Sequence, residues 1–228
     1  FVHKGGIHVS AVARSSATYE HVAPETIGNR RHVSVSELSG KSNLFYKGKE
    51  LDVDLSAASE EVKGLLADLK QMENEGFQFE AADATVEVLM RKALGTCKDY
   101  FDLHGFRVIS QKTESNVAPQ DEATIRIEVG GQMVHTAALG EGPVNALDKA
   151  LRKALTRFYP SLAEMELKDF KVRVLASEHG TGAMVRVLII SSDQQSEWGT
   201  VGVSHDIIEA SWQALVDSIT YKLMKDEV

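Results

Sequence analysis

Trp198-Gly-Thr-Val-Gly-Val-Ser-His-Asp-Ile-Ile-Glu-Ala-Ser-Trp-Gln-Ala-Leu215 reads as a short strand (Thr200 to Val203), a polar turn and a helix that opens at Asp206. An earlier copy runs Val134-His-Thr-Ala-Ala-Leu-Gly-Glu-Gly-Pro-Val-Asn-Ala-Leu-Asp-Lys-Ala-Leu151. One constant offset pairs Thr136 with Thr200, Ala146 with Ala210, Ala150 with Ala214 and Leu151 with Leu215. The same offset sets Gly142 opposite Asp206, both favoured N-caps, and Pro143 opposite Ile207. Proline at the first helical position forfeits nothing, because the N–H it lacks would have had no partner there. A repeat of this length sets the architecture before any single motif does.

The flanking sequence follows the same order twice. Phe106, Val108 and Ser110 alternate with Arg107 and Ile109; after a loop over Ser115 to Gln120, Ile125, Ile127 and Val129 alternate with Arg126 and Glu128. Gly130-Gly131 signals a hairpin, Gln132 to Leu139 returns, and a helix from Pro143 places Val144, Leu147, Leu151, Leu155 and Phe158 at heptad-like spacing. Then Phe170, Val172 and Val174 alternate with Lys171 and Arg173, Glu178-His-Gly-Thr-Gly turns, and Val185, Val187 and Ile189 form the next strand. A third strand over Glu197 to Val203 precedes a helix with Ile208, Trp212, Leu215, Ile219 and Leu223 on its buried face. The fold class is therefore α+β. Residues 101–228 form a pseudo-twofold domain of two strand–strand–strand–helix units, with the helices on one face of antiparallel sheets.

Upstream the pattern is helical and polar. Residues 1–54 are too punctuated to bury a core alone, so they are expected to pack on something else as a linker subdomain. They offer a short helix after Gly5-Gly6, a turn-rich Thr18-to-Asn29 stretch and a strand near Arg31 to Ser36. Residues 55–100 read as two helices. One carries Val62, Leu65, Leu66 and Leu69 on a single face and stops at Asn74-Glu-Gly76; the other runs from about Glu80 to Leu94.

Composition narrows the function classes. The 228 residues suit one large or two modest domains, and a net charge of −8 disfavours a nucleic-acid backbone as partner. No apolar run approaches the roughly 20 residues a membrane helix needs. A single cysteine, Cys97, precludes an internal disulfide and suits a reducing, cytoplasmic setting. The chain opens on Phe1, so it is read as the C-terminal part of a longer protein.

Two repeated helix mouths, Gly140-Glu-Gly-Pro and Ser204-His-Asp, offer exposed N–H groups and a positive dipole end to an anion such as a carboxylate. A capped tight turn explains either one alone. Two at equivalent places could share a cleft, with Asn145 as a polar group and Val144, Val185, Val187, Ile189 and Val201 as apolar walls or plain core. A small apolar amino acid fits such a site. His3, His8, His21 and His32 match no zinc spacing; an acid/base histidine or ordinary surface histidines are the better readings. Ser39-Gly-Lys-Ser lacks the glycine-rich start of a phosphate loop, and Cys97 has no activating neighbour.

An ordered set of motifs then carries a resemblance: Phe1-x-His-Lys-Gly-Gly-Ile-His8, Thr18-Tyr-Glu-His-Val-x-Pro-Glu-x-Ile-Gly-Asn-Arg-Arg, Leu38-Ser-Gly-Lys-Ser-Asn, Gly76-Phe-Gln-Phe-Glu-Ala-Ala-Asp, Gly140-x-Gly-Pro-Val-x-Ala and Val201-Gly-Val-Ser-x-Asp-Ile-Ile-x-Ala-Ser. Together they resemble the region after the catalytic barrel in the 2-isopropylmalate/citramalate/homocitrate synthase family, over nearly the whole chain. The resemblance implies a Claisen-type condensation of acetyl-CoA with a 2-oxo acid, using a divalent metal in a barrel outside this sequence, so that the chain alone should be inactive and carries no cofactor or metal ligand. It implies that His8 reaches the partner subunit's active site, that the chain forms a homodimer, and that Gly140, Gly142 and Asn145 contact an end-product amino acid. Ser204, His205 and Asp206 match the pseudo-symmetric segment. Lys4-Gly-Gly-Ile-His-Val-Ser-Ala11 resembles the citramalate branch, which implies pyruvate as oxo acid and isoleucine, else leucine, as effector. A dimerisation module without a ligand, and a metal-assisted enzyme using the N-terminal histidines, are the competing readings.

Overall fold

The computed structural model describes residues 1–3, 6–33, 41–55, 59–175 and 177–227. They fall into two compact units, Phe1–Cys97 and Lys98–Val228.

The first unit contains β1 (Val2–His3), α1 (Gly6–Arg14), β2 (His32–Val33), α2 (Lys41–Glu50), α3 (Ser59–Asn74) and α4 (Asp83–Ala93). β1 and β2 pair in parallel. α2 lies against α1 and α3, so the polar N-terminal segment finds part of its packing partner within the same unit. α3 and α4 are the two helices read from the sequence. Gly76, at φ 109°, ends the first as the αL-type residue a helix stop requires. α2 was not anticipated. Its sequence is polar, and it buries Leu44 together with Lys47, whose ammonium pairs with Asp83 at 2.8 Å and Glu50 at 3.3 Å. A helix that hides a lysine against a carboxylate on another element leaves no apolar stripe to read. The phosphate-loop-like Ser39-Gly40 and the end of the strand expected near Ser36 lie outside the described residues.

The second unit is the doubled α+β arrangement. β3 (Asp102–Gln111), β4 (Gln120–Val129) and β5 (Gln132–Gly140) precede α5 (Pro143–Leu155); β6 (Glu166–Val174), β7 (Val185–Ser192) and β8 (Glu197–Ser204) precede α6 (Ile207–Asp226). Each sheet is antiparallel with its second strand central. The shift that carries Thr136 onto Thr200 also carries Asp102 onto Glu166 and Pro143 onto Ile207. It even superposes the register breaks, Leu103/Gly105 on Leu167/Asp169. Alternation holds: Ala123, Ile125, Ile127 and Val129 are buried on one face of β4, where α5 places Leu147, Ala150, Leu151 and Leu155. In the second half Val187 and Ile189 meet Ala210, Ala214 and Leu215 of α6. The halves join through their helices. Val144 of α5 packs on that second-half cluster, and the Trp212 ring of α6 lies 5.2 Å from Phe106 of β3. α6 is buried on nearly every side.

One boundary differs from the sequence pattern. α5 stops at Leu155, whereas the apolar spacing continued to Phe158. Tyr159 precedes Pro160, and proline's ring excludes the residue before it from helical backbone; the chain turns instead through Leu155 carbonyl bonds from Phe158 and Tyr159.

Candidate functional site

The two helix mouths are built alike and finished differently. At the first, Gly140 ends β5, Gly142 is the N-cap in extended backbone and Pro143 holds the first helical position, with no side chain capping the helix. The Asn145 side chain reaches back instead, its Oδ1 accepting from the Glu141 amide at 3.1 Å. That bond fixes the loop but leaves the first-turn amides of Val144 and Asn145 without a partner among the described residues. Gly140 is required by contact: a Cβ there would stand 2.3 Å from the Ala146 nitrogen. Gly142 has open space around it.

At the second mouth the Asp206 carboxylate accepts from the Ile208 amide at 2.7 Å, and Ser204 Oγ accepts from the Asp206 amide at 3.1 Å. His205 Nδ1–H donates to the Gly182 carbonyl at 2.9 Å, tying the mouth to the 3-10 turn Ser177–Gly182. One helix dipole therefore faces solvent uncompensated, while the other is already met by a carboxylate. The first mouth suits an anion; the second suits a cation beside Asp206.

Of the expected apolar walls, Val144, Val187 and Ile189 do come together, in the cluster that joins the halves. Val144 is half-buried, whereas Val187 and Ile189 have no exposed surface beneath α6. Core packing accounts for those two as the sequence alternative held. Of the three, Val144 alone keeps exposed surface.

His8 sits on α1, exposed, with its ring 4.5 Å from that of Tyr19 and tilted by 35°. Tyr19 was quoted only as part of a motif, and its contact with His8 was not foreseen. Next to it, Glu20 is a buried clasp. Arg31 donates to both its oxygens (2.8 and 2.5 Å), and His3 Nε2 lies 3.0 Å away. The Arg31 guanidinium, with His3 adding to it and burial opposing, holds the Glu20 carboxyl down at about 2. His3 is thus a structural neighbour of a carboxylate. Among the described residues no group of three or more His, Cys, Asp or Glu side chains is placed to hold a metal, and no helix is long and apolar enough to cross a membrane.

Comparison with known families fits this architecture. The LeuA allosteric (dimerisation) domain matches residues 80–223, and the homocitrate synthase post-HMGL domain-like family matches residues 1–76. The chain belongs to the LeuA allosteric (dimerisation) domain family and, with it, to the 2-isopropylmalate/citramalate/homocitrate synthase family. Among individual relatives, the (R)-citramalate synthase of Aquifex aeolicus is 52% identical and that of Geobacter sulfurreducens 53%, each over 227 residues covering 100% of this chain and 43% of the relative. The 2-isopropylmalate synthase of Shewanella piezotolerans is 30% identical over 235 residues, with 41% of its length covered. The chain thus spans about two-fifths of the length of the curated relatives it matches.

Proposed function

We propose that this chain is the regulatory part of a citramalate synthase, and that the second unit senses isoleucine for feedback inhibition. The observation that carries the reading is the asymmetry of the repeated mouths. The first offers free amides and an uncompensated dipole for a carboxylate, the second offers Asp206 for an ammonium, and Val144, in the first turn of α5, packs on the apolar cluster that α6 covers. A zwitterion with a short branched side chain has that charge pattern. Higher identity to citramalate than to 2-isopropylmalate synthases supports isoleucine over leucine. Two copies of the chain pair as a homodimer, in keeping with the family's description. In the whole cytoplasmic enzyme a metal-dependent barrel condenses acetyl-CoA with pyruvate. The first unit carries His8, held against Tyr19, to the partner subunit's barrel as an accessory acid/base group. Effector binding inhibits only if it favours one arrangement over another, so the mouths must differ in affinity between two states.

Calorimetric titration of the chain with isoleucine, leucine and valine tests this. Saturable binding with isoleucine preferred, weakened about tenfold or more by Asn145→Ala, supports the reading. Leucine preference moves the protein to the 2-isopropylmalate branch. The buried state of Val187 and Ile189 favours one rival, a dimerisation module whose mouths are capped turns. Absence of binding by both the chain and the full-length enzyme would establish that rival.

A further inference from the structure

The solvent face of the first sheet carries a feature the effector reading does not use. Arg107 of β3 and Arg126 of β4 stand on the face away from α5; their register partners are Thr124 for Arg107, and Gly105 and His135 for Arg126. That register makes the two arginines diagonal neighbours, roughly 7–8 Å apart. Arg107, Arg126 and His135 are exposed and have no ion pair or hydrogen bond among the described residues. Gly105, at φ 142° in the register break, has no side chain, and the gap opens a concavity of about 300 Å³ lined by these residues, Thr124 and His104. The carboxylates on this face are Asp102 and Glu128, which stand opposite each other with His104 3.1 Å from Glu128, and Glu122, opposite Ile109 and Leu139.

Like charges on adjacent strands weaken a sheet, so the cluster does not serve pairing. Nor is it inherited from the repeat. The second half has Lys171 where the first has Arg107, bonded at 2.5 Å to Asp169 in the Gly105 place, and Ile190 where the first has Arg126. The chain as a whole is acidic, with a net charge of −8, which makes an unneutralised basic hollow more specific to its place. Glu122 is a diagonal neighbour of Arg107 and Glu128 lies two residues from Arg126 on the same face, but among the described residues neither carboxylate is bonded to a guanidinium, so both forks stay open.

We propose that this hollow binds a small phosphate-bearing anion, bridged between Arg107 and Arg126 with Thr124 and His135 as further hydrogen-bonding groups. Guanidinium forks match phosphate oxygens geometrically, and two forks at this spacing suit a diphosphate better than a single carboxylate. The site is independent of the helix mouths, so its test and the isoleucine titration can fail separately.

Calorimetry with pyrophosphate at low ionic strength, against chloride at equal ionic strength, is the experiment. Saturable binding is expected, weakened about tenfold or more in Arg107→Gln/Arg126→Gln and unchanged in Lys171→Gln, the equivalent position of the second half. Far-UV circular dichroism checks the double variant, and His135→Gln gives a second, milder perturbation. The proposal is overturned by absence of saturable heat, by equal affinity in the double variant, or by binding of a poly-glutamate peptide through these arginines when pyrophosphate does not bind. That last result would assign the face to an acidic protein segment.

Discussion

In the first half of the second unit the sheet meets its helix at Gly140, against Ala146; in the second half it meets it at Gly202, against Ala210. Ala146 and Ala210 are equivalent, but Gly140 and Gly202 are not. Gly140 matches Ser204, and Gly202 matches Ala138. The helix therefore crosses its sheet at a different strand position in each half. The polar fittings differ too. In the second half Thr200 Oγ1 donates to the Ala214 carbonyl at 2.8 Å, whereas the buried hydroxyl of Thr136 has no partner among the described residues. The first hairpin turns on Gly130-Gly131, both at positive φ. The second turns on Asp193, which accepts from the Gln195 and Ser196 amides and from Lys225, and pairs with Lys222 at 3.1 Å. A duplicated chain can keep every element in register while each copy is fastened by its own contacts.

The sharpest way to break the comparison is Asp193→Ala. It removes a buried carboxylate from two lysines, and although Lys222 keeps Asp226, the expected loss is about 3 kcal/mol in urea denaturation. Burial disfavours the Asp193 charge, but Lys225, the two amides and Lys222 outweigh it and depress the carboxyl below its ordinary 3.8. A depressed carboxyl stabilises the fold above that value and loses its contribution as pH falls below it. The cost of Asp193→Asn should therefore be full at neutral pH and shrink on acidification below 3.8. A cost that stays constant across that range would refute an ionic role.

Next in size is Gly202→Ala, whose Cβ would stand 2.0 Å from the Ala210 carbonyl oxygen; about 3 kcal/mol is expected, with Gly140→Ala close behind. Gly142→Ala, with open space and extended backbone, should cost at most about 1 kcal/mol. Thermal unfolding of the three variants orders them. Equal effects would mean that contact with the helix is not what these glycines supply. The smallest contrast is Thr200→Val against Thr136→Val. The first should lose about 1 kcal/mol with its hydrogen bond, the second nothing or a slight gain, because it replaces a buried hydroxyl that bonds to nothing among the described residues.

The repeat was legible because period-two strands, a Gly-Gly hairpin and a Pro or Asp helix start are local signals, and two copies reinforce each other. The mouths were legible as N-caps for the same reason. Which mouth is closed was not, since Asp206 and Gly142 both rank as good caps and only geometry shows that one side chain occupies its own helix. Val187 and Ile189 read equally well as core or as pocket walls, because a buried central strand carries the same residues in either case. α2 was hidden by its buried Lys47, and the basic hollow by distance: Arg107, Arg126 and His135 are far apart in sequence and meet only through strand register. The Tyr19 contact with His8 is likewise a product of folding, although both lie in motifs quoted from the chain.

Nearly complete enclosure of α6 sets how this unit exchanges with water. Its amide protons around Leu215 and Ile219 lie on turns where only Gln213, Val216, Asp217 and Tyr221 keep partial exposure. They should exchange with deuterium only at the rate set by opening of the whole unit, whereas α5, with Asn145 and Lys149 facing solvent, can release protons by fraying. The slowest-exchanging peptide therefore reports the stability of the second unit directly, and a ligand held at the helix mouths would register there as protection far from its own contacts.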